Sequence, residues 1–139
     1  MSIWRQKLYT YIRNILEQYS NVWHSSLTQE DEQSLERIQK SALKLILKEK
    51  YKNYENACDI LNIENLKCRR NLLFEKFTMK NMNHPQFIEY FQEKEYKTYD
   101  FRKPEKYKVT HSKSERFKKS SIIQMQQLAN KLHQDGKIK

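Results

Sequence analysis

Glycine is almost absent from this 139-residue chain; Gly136 is the only one, and there are two prolines, Pro85 and Pro104. Tight β-turns draw on both residue types, so hairpins are poorly supplied and helices joined by short polar loops are favoured. A glycine-rich loop for cradling phosphate is excluded for the same reason. Cys58 and Cys68 are the only cysteines. They read as reduced thiols of an intracellular protein rather than as a disulfide framework. No apolar run approaches the ~20 residues of a membrane span. The N-terminus has no long apolar segment of the signal-peptide kind, so cytoplasm or nucleus is the expected location.

What the chain has in quantity is positive charge. Lys and Arg number 27 against 17 Asp and Glu, a net charge of +10. The pI is about 9.5 and the mean hydropathy is −1.02. Yet 37% of residues are hydrophobic and 12% aromatic, too apolar for wholesale disorder. A basic balance of this size favours polyanions, nucleic acid before anionic membrane. The charge is uneven. Residues 1–50 carry +2, residues 51–93 none, and residues 94–139 +8. The predicted division follows this texture: a helical domain over 1–93, a basic-aromatic arm over 94–119, and a C-terminal helix with a frayed end over 120–139.

Periodicity predicts an all-α fold, a small bundle of four to five helices. The first helix is expected from Ser2 to Tyr19, with Leu8, Ile12, Ile15, Leu16 and Tyr19 on one face. The second starts at Thr28, an N-cap followed by Glu30, Asp31 and Glu32 at the positive end of the helix dipole. Its apolar stripe is Leu35, Ile38, Ala42, Leu45 and Ile46. Arg37, Lys40, Lys44 and Lys48 fall together on the opposite side at about 100° per residue. A short third helix spans Tyr54 to Leu61 behind Asn53, and a fourth runs from Glu64 to Met82 with Leu66, Leu73, Phe74 and Phe77 inward. Pro85 to Phe91 forms one further turn or two. A last helix, capped by Ser120 or Ser121, uses Ile122, Met125, Leu128 and Leu132. Gly136 and the lysines fray its end.

No catalytic constellation has useful spacing. Cys58, Cys68, His84 and His111 are too scattered for a zinc signature, and buried thiols with surface imidazoles account for them. Glu30, Asp31 and Glu32 are explained by the helix start. No cofactor is expected. Two features remain. The cationic side of the second helix is either a solvated outer face or a phosphate-binding one. The arm interleaves Arg102, Lys103, Lys106, Lys108, Arg116, Lys118 and Lys119 with aromatics including Tyr107. Cations release counterions from phosphate and exposed rings stack on bases. The other reading is a tail whose aromatics pack back on the helices.

The stretch "LYTYIRNILEQYSNVWHSSLTQEDEQSLERIQKSALKLIL" resembles the region after the polymerase palm in reverse transcriptases of non-LTR retrotransposons. The resemblance lies in Ile12-Arg13, Leu16-Glu17, Val22-Trp23, Leu35-Glu36-Arg37-Ile38-Gln39-Lys40, Ala42, Lys44 and Ile46. It continues through "NYENACDILNIENLKCRR" and softens beyond Arg70. Asn14 stands where that family often has Pro, and Gln18 where it often has Tyr. The family's paired catalytic aspartates have no counterpart in this chain, nor does a Cys-His zinc knuckle. The resemblance therefore implies a non-catalytic, thumb-like helical region. Its partners would be RNA or DNA backbone, and the polymerase body or a second copy of the chain. Arg13, Arg37, Lys40, Lys44 and Lys48 would face phosphate. Membrane is not an expected partner.

Overall fold

A computed structural model describes residues 3–95 and 105–138, and about 70% of it is helical. The expected all-α class is what it shows. Among the described residues there is no strand, only an isolated antiparallel bridge between Glu93 and Tyr107. Arg102 and Lys103 lie outside the described residues. The chain divides into two compact units. One holds residues up to Ser20 together with Leu27–Leu73; the other holds Asn21–Ser26 together with residues from Phe74 onward. This division differs from the one that composition suggests.

The first unit opens with α1 (Ile3–Lys7), a π-helical turn over Leu8–Arg13, and α2 (Asn14–Glu17). A π turn carries one extra residue per i→i+5 bond, here closed by the Asn14 N–H on the Tyr9 carbonyl. The extra residue rotates the inward face, and the predicted stripe breaks as a result. Leu8 stays buried, Arg13 turns inward, and Ile15 and Tyr19 are exposed. A short α3 (Ser20–Trp23) follows; Val22, at its surface, is exposed.

Helix α4 spans Gln29–Leu47. Its start is set by a reciprocal cap. The Asp31 N–H donates to Thr28 Oγ1 at 3.2 Å, and the Thr28 N–H donates to Asp31 Oδ2 at 3.0 Å. Such a box satisfies two otherwise orphaned donors. The inward face is Gln39, Ala42 and Leu43, with Ile46 and Leu47 beside it, whereas Ile38 and Leu45 of the predicted stripe are exposed. Helix α5 (Tyr54–Leu61) has the predicted bounds, and the Asn53 side chain accepts from the Asn56 N–H at 2.7 Å. The unit's apolar core joins Leu8, Ala42, Leu43, Ala57, Cys58, Leu61 and Ile63. Burying each such leucine contributes about 1.5–3 kcal/mol.

Helix α6 spans Leu66–Asn81. Its buried positions, continuing past its end, recur every four residues: Leu66, Arg70, Phe74, Thr78 and Met82. Arg70 NH2 lies 3.9 Å from Glu32 Oε1. In the second unit, Phe74, Met82, Phe91, Tyr107, Met125 and Ala129 form the core. Turns follow α6, with a 3₁₀ turn over Ile88–Tyr90. The last helix, α8 (Ser121–Gln134), starts after Ser120 as expected, whereas α7 (Glu115–Lys118), capped by Ser114, is a helical turn within the stretch expected to be an extended arm. The end of α8 is not frayed. The Lys137 N–H donates to the Leu132 carbonyl at 2.9 Å and the Gly136 N–H to His133 at 3.0 Å. Gly136 has φ +70°. That is a Schellman cap, with the sole glycine at the position where a side chain would be strained. Lys137 also pairs with Glu75 at 2.8 Å.

Candidate nucleic-acid interface

The cap at Thr28 fixes where α4 begins, and so which residues share its outer side. Arg37, Lys40 and Lys44 fall within about 60° of one another around the helix axis. All three are exposed. Lys48 leaves this row. It is the residue after α4, with φ 48° and ψ −117°, and begins a 3₁₀ turn through Lys50. Among the described residues, no carboxylate lies within 4.0 Å of the charged groups of these four.

Beside this row the surface is grooved. One groove of about 570 Å³ is lined by α4 from Gln29 to Lys40, together with Tyr54, Asn65 and Lys67. A second of about 500 Å³ is lined by Lys40, Lys44 and the segment Tyr51–Glu55. Both have Lys40 and Tyr54 in their walls. Lys40 Nζ stands 5.6 Å from the Tyr54 ring centroid, and Lys44 Nζ stands 5.6 Å from that of Tyr51. Three carboxylates are present. Glu32 pairs with Lys67 at 2.8 Å. Glu36 accepts from the Tyr54 hydroxyl and, at 3.0 Å, from the Lys67 N–H. Glu55 lies exposed at the edge. With two of the three acids engaged, cationic donors dominate what the groove offers a ligand.

Tyr54 is held through a buried polar chain. The Arg13 Nε donates to Gln39 Oε1 at 3.0 Å, and Gln39 Nε2 donates to the Tyr54 hydroxyl at 2.8 Å. Burial and the neighbouring Glu36 push the Tyr54 hydroxyl's pKa upward. Arg13 also donates to Tyr9 Oη at 3.0 Å and to the Glu64 carbonyl. This corrects the expectation for Arg13. It is 1% exposed and ties its own helical segment to α4 and to the turn at Glu64; it does not face phosphate. Its signal in the sequence was ambiguous, since Arg13 falls where a regular helix would place it outside the apolar stripe.

The arm's residues belong to the other unit. Tyr107 is buried against Phe91, with ring centroids 5.9 Å apart. Its ring is therefore not available for a base, and for this residue the packed-back reading holds. Lys106 pairs with Glu93 at 3.3 Å, which raises its pKa. Lys118 pairs with Glu115 at 3.6 Å. Lys108, Arg116 and Lys119 are exposed. The groove residues that sequence reading did not assign to the site include Tyr51, Lys52, Tyr54 and Lys67. The "KYKNYE" run just after α4 was the available signal.

Other chemistry has little to build on. Among the described residues no three His, Cys, Asp or Glu side chains are grouped to hold a metal ion. Cys58 is buried, which pushes its thiol pKa up; Cys68 is exposed. No described helix is long and apolar enough to cross a membrane. No protein-family model matches this sequence, and no curated protein or solved structure is significantly similar to it.

Proposed function

We propose that this chain is a thumb-like helical region of the non-LTR reverse-transcriptase kind. In this reading it binds RNA or DNA backbone without sequence preference, in the cytoplasm or nucleus, and carries out no polymerisation itself. The observation that carries the reading is the exposed row Arg37, Lys40 and Lys44 on one side of a capped helix, beside a groove. The motif that suggested the family divides sensibly between two tasks. Glu36 and Gln39 are spent on internal hydrogen bonds, while Arg37 and Lys40 point outward. Lysine and arginine at phosphates release counterions, so affinity must fall with salt.

The test is the slope of log affinity against log salt for an RNA–DNA duplex. Three phosphate contacts give a slope of roughly −2 to −3. Replacing Arg37, Lys40 and Lys44 by Gln should flatten most of it. A plot already flat for the unaltered protein sinks the reading.

A second reading, a self-association or protein-interaction module, has its own observation. Trp4, Tyr11, Ile15, Ile38 and Leu45 are all exposed in the first unit, Leu45 to 77%. Sedimentation separates the two. A dimer with no affinity for nucleic acid favours the second.

A further inference from the structure

The groove contains more than a phosphate-binding surface requires. Two lysines four residues apart on α4 each cover a tyrosine ring: Lys40 over Tyr54, and Lys44 over Tyr51. Lys40 and Tyr54 stand in the walls of both grooves, so the two adjoin as a double cleft. Resting on the nucleic-acid reading above, we propose that this cleft takes single-stranded RNA or DNA. Bases lie on the Tyr51 and Tyr54 rings, and Arg37, Lys40, Lys44 and Lys52 meet the phosphates.

A duplex keeps its bases stacked inside and offers a rigid wall of phosphate. Cations alone answer that wall; aromatic rings in a cleft add nothing to it. A single strand exposes the π-faces of its bases, and any base can stack on an aromatic ring, so such binding tolerates every sequence. Asn53 and Asn65 also stand in the cleft walls; their Oδ1 atoms accept from the Asn56 and Cys68 N–H groups, each at 2.7 Å, which leaves the Nδ2 groups as donors to base edges.

The lysines also supply a route of entry. In the unliganded cleft each ammonium occupies the face of a ring, where the ring's quadrupole attracts it. An arriving base takes that face, and the displaced ammonium swings to the adjacent phosphate. Nothing is left uncovered: the ring gains a base and the cation gains an anion. Tyr54 is kept rigid for this by hydrogen bonds to Glu36 and Gln39.

The experiment is anisotropy with the full chain and two labelled probes, an oligouridylate of about a dozen nucleotides and a duplex of equal length. At equal salt the single strand should bind roughly tenfold tighter. Tyr51→Leu should weaken single-strand binding about tenfold and leave duplex binding unchanged, and Tyr51→Phe should restore it. Salt-dependent binding in which the duplex equals or exceeds the single strand overturns the proposal but spares the phosphate-binding reading. So does a folded Tyr51→Leu protein with unaltered affinity. Binding to neither probe removes both. The comparison of probes on the unaltered protein needs no variant, so a Tyr51→Leu chain that fails to fold still leaves a decisive measurement.

Discussion

The side-chain amide of Asn130 binds both backbone polar groups of Tyr107. Its Oδ1 accepts from the Tyr107 N–H at 2.7 Å, and its Nδ2 donates to the Tyr107 carbonyl at 3.0 Å. One turn earlier on α8, Gln126 accepts from the Thr110 N–H at 2.8 Å. An extended segment is thus fastened along a helix by amides that do the work of a neighbouring strand. Both residues are buried.

Asn130→Ala leaves a buried N–H and a buried C=O without partners. Each orphaned group costs about 1–3 kcal/mol, so a loss of roughly 2–6 kcal/mol is expected. Denaturant unfolding measures it. Amide exchange at Tyr107 should quicken as well. A loss below about 1 kcal/mol would show that water replaces the amide without penalty.

Arg13→Met keeps the length of the side chain and removes the guanidinium. Gln39 Oε1 and the Glu64 carbonyl each lose a donor. Breaking such a buried charged network costs about 3–5 kcal/mol. The expected result is a lower melting temperature. Single-strand and duplex affinities of the folded fraction should not change, because Arg13 does not reach the surface. A selective loss of binding with normal stability would return Arg13 to the phosphate contacts.

Tyr54 sets a dependence on alkaline pH. Its folded pKa is raised, first by burial and then by Glu36. The folded state therefore holds the proton that the unfolded chain releases near its ordinary value of 10.0. Stability from this source is complete below that pH and falls as pH rises above it. Tyr54→Phe starts lower, having lost its hydroxyl contacts, but should lose less on going to high pH. Parallel slopes for the two proteins, followed by far-UV circular dichroism, would contradict the assignment.

Where the sequence was legible, the determinants were local. Thr28 and Asp31 are three residues apart, as are Asn53 and Asn56, and these pairs fix the starts of α4 and α5. The scarcity of Gly and Pro, with apolar residues spaced at helical intervals, settled the all-α class. The cationic row was legible for the same reason, because a capped helix has one phase. Lys48 escaped it by lying one residue past the end.

Tertiary packing decided the rest, through partners remote in the chain. Arg13 is drawn inward by Gln39, 26 residues away, and by Glu64, 51 away. That pull goes with a π turn that no 3.6-residue period foretells. Tyr107 looked like an exposed arm residue because nothing near it in sequence covers it; its cover comes from Phe91 and, 23 residues on, from Asn130. The chain's composition thus determined which residues can be helical and where charge collects. Only the folded arrangement chose which cations and rings stay at the surface, since that depends on which buried polar groups find one another.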